Sequence, residues 1–409
     1  MSLDNQIGII EFDDVNIKCL IYTADENSTE IVSTSVTPSE GINNDIIVNL
    51  KKASGAIRSC ISSAEKKANI SLKKINLVFE QPDFLCTTFS KQKKMNGSRI
   101  HKEDIEFLLN EAKKQLIHND KNQSIIHIFN HNYIVDNKAF VEEPINVYAD
   151  LLTHETTFIS FPKNNLKNIN QIFIDCDIEI ERFISRTFAL GAQLLNNEEL
   201  KSNSILIDLG LNKISMGLFK NFALVHSITF PFGIDFITKD ISKVCSLDLN
   251  ESNNIKNNFD FSFKENQNIF DKDNYLKENF FNKSGYRKIS KDLITNIIKA
   301  RLDEIIDKLK KQLVVPGFDL SSNINFLLYG DGLSFSNIDK YFTNFFGPKI
   351  IPLERNQTTK EKDSNNTFIP CLGALKIIKD GWETEAIPKI GSKNKENIGF
   401  FAKIFGIKS

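Results

Sequence analysis

Three turns are the positions at which this sequence could bind a phosphate group or a magnesium ion. Glu11 opens the first turn, Asp208 and Gly210 form the second, and Gly330 and Gly332 form the third. An acidic residue at such a turn can hold hydrated Mg²⁺, and glycines let backbone N–H groups approach a phosphate or an adenosine. The turns therefore resemble the parts of a nucleotide site, although isolated Asp/Gly turns are also ordinary turn chemistry.

The residues around these turns predict a weak or absent nucleotide site. Residues 211–214, Leu-Asn-Lys-Ile, follow Gly210 where a glycine and a hydroxyl would serve the phosphates. The first turn, residues 11–14, is acidic where the same groups belong. Carboxylates ~4 Å from phosphate oxygens repel them by ~1 kcal/mol per charge pair even in water. Glycine is also scarce, at 18 of 409 residues, against a usual ~7%.

Other chemistry is not indicated. The six cysteines are scattered without a Cys-x-x-Cys pair, which predicts buried, reduced thiols. His127 and His131 lie on a predicted strand, where a spacing of four residues separates them by ~13 Å and argues against a shared metal. No Ser, Cys or His has the sequence context of a nucleophile. A formal net charge of −1 gives no cationic field for nucleic acid.

The hydrophobic periodicity of the first eighty residues predicts an α/β fold. Apolar runs at 7–10, 17–22 and 75–80 are typical of strands, and residues 45–68 repeat apolar side chains every three or four positions as a helix does. This order, β-β-α-β, places helices against a sheet that contains parallel strands.

Further along the chain, the patterns predict a second group of elements. A polar turn at Asn96-Gly97, within a basic loop at 91–102, precedes a helix at about 101–116. Residues 179–196 are predicted as one helix, and 290–313 as another that begins at a capping Ser290. The Asn/Lys-rich stretch 250–290 is predicted as a long, partly ordered loop.

The last segment, 397–409, has the pattern of a short amphipathic helix. Thirteen residues cannot span ~30 Å of hydrocarbon, but they suffice for a helix that lies in the membrane surface. The alternative is a helix that docks on the protein's own body, which the polar linker at 381–396 disfavours. The side chains predicted to enter the membrane are Ile398, Phe400, Phe401, Ile404 and Phe405.

Several segments follow one another as in a known family. "NGSRIHKEDIEFLLNEAKKQLI" is followed by "EIERFISRTFALG", then by "ITFPFGIDFITKDISKVCSLDLNESNNIK", which ends at Lys256. "IIKARLDEI", which contains Arg301, and "IPCLGALKI" come next, and the amphipathic tail comes last. In this collinear order the sequence resembles the FtsA family of bacterial cell-division proteins, members of the actin/Hsp70 superfamily.

The resemblance implies an actin-like, two-lobed α/β ATPase fold with an inserted small α+β subdomain of the SHS2 type. It also implies the boundaries of each part. These are 1–81 and 158–202 for the first lobe, 82–157 for the inserted subdomain, 203–232 and 300–380 for the second lobe, 233–299 for its smaller subdomain, 381–396 for a flexible linker and 397–409 for a membrane-targeting helix.

The resemblance further implies an adaptor that tethers FtsZ filaments to the cytoplasmic face of the inner membrane at the septum. Self-association and recruitment of later division proteins are implied too, and the FtsZ tail is expected near Arg301. Mg²⁺-ATP is the implied cofactor, but the altered turns predict at most a vestigial site and no enzymatic activity. The candidate nucleotide-binding residues are Glu11, Asp208, Gly210, Lys256, Gly330 and Gly332.

Two alternatives remain open at this point. A PilM-like protein of type IV pilus assembly would share the fold and the inserted subdomain, but it would not need the terminal membrane helix. An ATP-hydrolysing kinase or chaperone of the same fold would need intact phosphate turns, which this sequence lacks.

Overall fold

The chain divides into two compact units in this computed structural model. Unit 1 comprises residues 1–202, 217–228 and 361–409, and unit 2 comprises residues 203–216 and 229–360. The structure describes residues 6–12, 15–24, 29–43, 46–264, 266–315, 318, 320, 323–347, 350–352 and 367–386.

The strands of the described residues form three larger sheets and one small pair. Their orders are β11-β6-β1-β2-β3, β7-β10-β8-β9, β14-β13-β12-β15-β16 and β4-β5. The strands are β1 (Gln6–Phe12), β2 (Asn16–Ala24), β3 (Thr29–Pro38), β4 (Ile42–Asn43), β5 (Ile46–Ile47), β6 (Lys74–Phe79), β7 (Leu85–Arg99), β8 (Gln123–Val135), β9 (Lys138–Phe140), β10 (Tyr148–Pro162), β11 (Glu179–Ser185), β12 (Ser204–Leu209), β13 (Ile214–Lys220), β14 (Ala223–Phe230), β15 (Ile324–Tyr329) and β16 (Ile350–Pro352).

The helices pack on these sheets or on one another, and the described part of the chain also has 3₁₀ turns at Glu278–Phe280 and Asp331–Ser334. The α-helices of the described residues are α1 (Leu50–Ala68), α2 (Lys102–Asn119), α3 (Lys163–Ile174), α4 (Arg186–Leu194), α5 (Asn197–Lys201), α6 (Phe236–Cys245), α7 (Leu249–Asn258), α8 (Lys291–Lys311), α9 (Ile338–Phe346) and α10 (Ile369–Asp380).

The first sheet of unit 1 contains the predicted β-β-α-β elements, but it also contains β3 between β2 and α1, a strand that was not predicted. β1 pairs antiparallel with β2 and parallel with β6, and β6 pairs parallel with β11. α1 packs on β2 and β3, and it is capped at its start by Asn49, whose side chain accepts the N–H of Lys52 at 3.1 Å. β3 lies at the edge of this sheet.

The four-stranded sheet of unit 1 and α2 form the inserted subdomain. α2 confirms the helix predicted at 101–116, and its Ile105 and Leu108 pack on Tyr133 and Leu152 of the sheet. The basic stretch 91–102 was predicted as a loop, and that prediction is wrong. β7 continues through Asn96 and Gly97, both with positive φ, because a register shift against β10 absorbs the irregularity.

A second correction concerns residues 179–196, which were predicted as one helix. Residues up to Ser185 form β11, and α4 begins only at Arg186. The side chain of Ser185 accepts the N–H of Phe188 at 3.3 Å, so the serine ends the strand and caps the helix. The parallel pairing with β6 thus overrides a local sequence that favours helix.

The stretch 250–290 is more ordered than the predicted long loop. Its first residues form α7, and the Glu251 side chain accepts the N–H groups of Asn282, Lys283 and Ser284 at 2.6 to 2.9 Å. Phe259, within the same stretch, is 1% exposed. Despite its polar composition, the stretch therefore contains buried aromatic side chains. The buried Glu251 carboxylate holds the backbone of residues 282–284 in place.

Residues 382–386 pack against β8 of the inserted subdomain within unit 1, although the linker was predicted to begin at 381. The N–H of Asn130 on β8 donates to the carbonyl of Thr384 at 2.8 Å, and Glu385 is 3% exposed. His127 Nδ1 lies 2.6 Å from Glu385 Oε1, while the N–H of Ser185 donates to His127 Nε2 at 2.9 Å. Any flexible tether therefore begins after Ala386, and both residues 387–396 and the predicted membrane helix at 397–409 lie outside the described residues.

We call residues 382–386 the anchor. The anchor is held by charge as well as by backbone hydrogen bonds. Burial alone would raise the pKa of Glu385, but Arg182 and His127 lower it to about 2. Burial lowers the pKa of His127, so the imidazole is neutral near pH 7 and Nδ1–H donates to the carboxylate. The segment before the tail is thus fixed to the inserted subdomain by a buried, compensated charge.

Candidate functional site

The second and third candidate turns lie side by side in unit 2. β12 and β15 are parallel neighbours, with Asp208 in register with Tyr329. Because the carboxyl ends of parallel strands meet at one edge of a sheet, the turns that follow them also meet there. Asp208 is 3% exposed, so its carboxylate belongs to the interior of this edge.

Gly330 and Gly332 are needed for close backbone contact within this unit. Gly330 has φ +107°, and a Cβ there would lie 2.7 Å from Asp208 Oδ1 and 2.8 Å from the Leu209 carbonyl oxygen. A Cβ at Gly332 would lie 2.6 Å from the same carbonyl oxygen. These two glycines therefore let the third turn pack closely against the Asp208 turn, and their predicted place beside an adenosine stays a prediction.

The Asp208 turn is packed from its other side as well. A Cβ at Gly210 would meet the Lys213 carbonyl oxygen at 2.5 Å, and one at Gly233 would meet the Leu211 carbonyl oxygen at 2.3 Å. Lys213, 4% exposed, stands in the stretch where a phosphate turn would present a hydroxyl. The turn therefore has the Asp208 carboxylate, but residues 211–214 supply no hydroxyl group.

Lys256 joins this group through Asp235. Lys256 is 1% exposed on α7, its ammonium pairs with the Asp235 carboxylate, and it lies 4.8 Å above the ring of Phe335. The N–H of Asp235 donates to the carbonyl of Leu211 at 2.9 Å. The structure thus brings Lys256 to the predicted turns, but its charge is compensated inside the unit, and a ligand would have to compete with Asp235.

Glu11 belongs to a buried ion cluster in unit 1. It is fully buried on β1, with Oε2 at 3.3 Å from Lys18 Nζ and Oε1 at 3.0 Å from Arg186 Nε. Lys18 is its direct partner across the β1–β2 pair, and Cys371 Sγ of α10 lies 3.9 Å away. Because Lys18 and Arg186 already neutralise the Glu11 carboxylate, it is poorly placed to hold a hydrated Mg²⁺. Neither Lys18 nor Arg186 was predicted from the sequence to lie beside Glu11.

Removing the Glu11 carboxylate should take away the negative charge that lies between the buried cations Lys18 and Arg186. We expect Glu11→Ala to lower the free energy of unfolding by about 3–5 kcal/mol in urea denaturation, as breaking a buried ion pair does. Glu181→Ala is the matched control, because it breaks an exposed pair with Lys74, and we expect it to cost less than ~1 kcal/mol. Equal effects of the two substitutions would contradict the role assigned to Glu11.

Arg301, the candidate FtsZ-binding residue, is placed by α8 at the surface of unit 2. Its Nε and one terminal nitrogen donate to the two oxygens of Asp240 at 2.6 and 2.9 Å, and the other terminal nitrogen donates to Glu304 at 2.5 Å. Three of the five guanidinium N–H groups are therefore engaged, and the side chain is 20% exposed.

Half-buried aromatic rings and further cations surround Arg301. Its guanidinium lies 5.7 Å from the Phe236 ring, over which Lys239 also lies at 4.1 Å, and Lys308 lies 5.2 Å from the Phe232 ring. We call this group the Arg301 surface. Of these residues only Arg301 was predicted, although Phe232 and Phe236 stand four residues apart in the sequence, the second of them at the start of α6. Its chemistry suits a chain that carries both carboxylates and apolar side chains.

Metal sites and membrane-spanning helices are the other features to consider in the described residues. The described residues contain no group of three or more His, Cys, Asp or Glu side chains that could hold a metal ion. Within the same ranges, no helix has the length and apolarity that crossing a bilayer requires.

Comparison with known proteins gives the class to which this architecture belongs. A family model described as the SHS2 domain inserted in FTSA matches residues 85–160. A solved structure, the PilM-PilN type IV pilus biogenesis complex, superposes with a TM-score of 0.58 at 12% identity, over 90% of this chain and 97% of that one. The fold is therefore that of an actin-like α/β protein with an inserted SHS2 subdomain, as predicted.

The curated relatives are more specific. Cell division protein FtsA of Buchnera aphidicola subsp. Schizaphis graminum is 24% identical over 70% of this chain and 67% of its own length. FtsA of Streptococcus pneumoniae is 23% identical over 73% of this chain and 64% of that protein, and FtsA of Borreliella burgdorferi is 22% identical over 92% and 91%. The matches thus span about two thirds of the first two relatives. The chain is a divergent relative of the FtsA cell-division proteins, which confirms the resemblance.

Proposed function

We propose that this chain is a cell-division adaptor that holds FtsZ filaments at the cytoplasmic face of the inner membrane, at the septum. The observation that carries the proposal is the FtsA-type inserted subdomain at 85–160 within a chain similar to FtsA along most of its length. Recruitment of later division proteins and self-association belong to the same proposal. The likeness to the PilM complex concerns the fold alone and supports no pilus function here.

Membrane attachment in this proposal rests on the sequence of the tail. Five large apolar side chains would contribute at most roughly 7–15 kcal/mol if fully buried. The conformational entropy lost on ordering the segment and incomplete insertion offset most of this gain, so one copy binds weakly and reversibly. Copies held on one filament bind together, because each bound tail raises the effective concentration of the next.

Deleting residues 397–409 should release the protein from lipid. We expect the full chain to co-sediment with anionic liposomes, more strongly when FtsZ filaments are present, and the shortened chain to stay in the supernatant. A cooperative urea transition of the shortened chain serves as the control that it still folds. Unchanged sedimentation of the shortened chain would refute the proposed membrane attachment.

The FtsZ tail is proposed to bind at the Arg301 surface. The cations Arg301, Lys239 and Lys308 would attract an acidic peptide, and the rings of Phe232 and Phe236 would cover its apolar side chains. Two guanidinium N–H groups remain beyond the three bonds to Asp240 and Glu304, so a peptide carboxylate can be added without breaking the existing pairs.

Arg301→Ala should weaken binding of the FtsZ tail peptide. A charge-assisted hydrogen bond contributes ~1.5–3 kcal/mol, so we expect the dissociation constant to rise about tenfold or more in fluorescence anisotropy. Lys299→Ala is the matched control, since Lys299 also lies on α8 and stacks on a ring, Phe263, outside the Arg301 surface. If both variants bind as the unchanged protein does, the peptide binds elsewhere.

Nucleotide chemistry plays no part in the proposed mechanism. Asp208 and the glycines keep the framework of a nucleotide site, but Lys256 is already paired with Asp235 and Glu11 lies between two cations. Should Mg²⁺-ATP bind, the turn backbone after Asp208 would face its phosphates, and the chain supplies no hydroxyl at residues 211–214. A structural scaffold with a vestigial site fits these contacts.

Isothermal titration with Mg²⁺-ATP tests this part of the proposal. We expect no heat signal of low-micromolar affinity and no phosphate release above background in a turnover assay. Low-micromolar binding would overturn the vestigial assignment, and sustained hydrolysis would favour an enzyme.

A further inference from the structure

A groove of about 300 Å³, lined mainly by aliphatic and aromatic residues, lies at the edge of the first sheet of unit 1. Its walls come from β2, β3 and the start of α10. For comparison, a cavity of roughly 150 Å³ accepts a benzene ring, so this groove has room for about two aromatic side chains. The residues that line it are Leu20, Ile31, Val32, Ser33, Thr34, Phe368 and Leu372.

The outer wall of this groove is an edge strand with exposed apolar side chains. Ile31 is 42% exposed and Val32 is 38% exposed, on a strand that has a neighbour on one side only within the described sheet. Proteins usually cover or charge such an edge, because it invites pairing with other chains. Burying apolar side chains from elsewhere in this groove would therefore be favourable, because it would remove Ile31 and Val32 from water.

The chain's own tail is an occupant of matching chemistry. Phe400, Phe401 and Phe405 lie within a mostly apolar segment, whereas the residues that precede it from 387 to 396 are largely polar. The groove lining carries no charged side chain, so it offers nothing to an ionic partner and suits an apolar one.

The length of chain between the anchor and the tail permits this contact. Twelve Cα–Cα steps join Ala386 to Ile398, which reach at most ~40 Å. The path from Leu372 along α10 to Asp380 and on to Ala386 spans at most about 32 Å, from eight helical and six extended steps. The tail can therefore reach the groove of the same molecule.

We propose that the apolar face of residues 398–405 docks reversibly in the β3–α10 groove of its own chain and leaves it to enter the membrane. This inference rests on the proposed function, because it assumes that the tail binds lipid. The apparent affinity for lipid is then the intrinsic affinity multiplied by the fraction of molecules whose tail is undocked. Docking acts as a brake on single copies, which many copies on one filament overcome together.

The docked state can be tested in the full chain without lipid. Phe401→Glu places a charge in the docking face, and we expect the amides of residues 31–34 to exchange their hydrogens at least threefold faster in this variant than in the unchanged protein. Equal exchange rates would overturn the proposal. Protection that grows with protein concentration would also overturn it, because a second copy would then be the occupant.

Lipid binding gives the second test, with a matched pair of variants on one strand. Val32→Glu closes the groove to the tail, and Val36→Glu is its control, since Val36 is 46% exposed on the same strand outside the groove. We expect Val32→Glu to raise the partition coefficient onto anionic vesicles at least threefold and Val36→Glu to leave it unchanged. Because added acidic charge opposes binding to anionic lipid, a rise cannot come from charge itself.

The same assay separates failure of this inference from failure of the proposed function. If Phe401→Glu lowers vesicle binding but Val32→Glu and Val36→Glu behave alike, the tail binds lipid and docking is wrong. If Phe401→Glu binds vesicles as the unchanged protein does, the membrane role itself is wrong, and with it the brake.

Discussion

A buried charge is stable only beside an opposite charge, and at the candidate nucleotide turns this chain supplies the opposite charges itself. Glu11 lies between Lys18 and Arg186 in unit 1, and Lys256 pairs with Asp235 in unit 2. Two candidate nucleotide-binding residues, Glu11 and Lys256, therefore already form ion pairs within the protein. Gly330 and Gly332 also contact the Asp208 turn so closely that a Cβ at either position would clash with it.

Elements specified by local sequence were predictable, and those that depend on distant partners were not. The periodicity of α1, α2 and α8 predicted each helix, since one apolar face meets a sheet or a neighbouring helix and the cap at Ser290 is local. Residues 179–185 favour helix locally but form β11, because β6 offers them a parallel neighbour. The sequence placed Asp208 and Gly330 in one possible nucleotide site, and the turns that contain them lie side by side. Arg186 beside Glu11 could not be predicted, because 175 residues separate them and no motif joins them.

The proposed adaptor divides its work between a body that binds a protein and a tail that binds lipid. The body presents the Arg301 surface from α6 and α8, both fixed by their own buried faces. The buried Glu385 anchor fixes the point from which the tail leaves the inserted subdomain. A tail of twelve or so residues gives weak lipid affinity, which makes attachment sensitive to the number of copies on a filament. The groove at β3 and α10 would sharpen that dependence, because each free copy must first release its own tail.

The most direct measurement of the adaptor account images labelled FtsZ filaments above a supported anionic bilayer, with and without the full chain. The account predicts that filaments lie on the bilayer only when the chain is present, and that the density of bound filaments rises more steeply than linearly with chain concentration. Filaments that stay in solution while the chain itself covers the bilayer would contradict it.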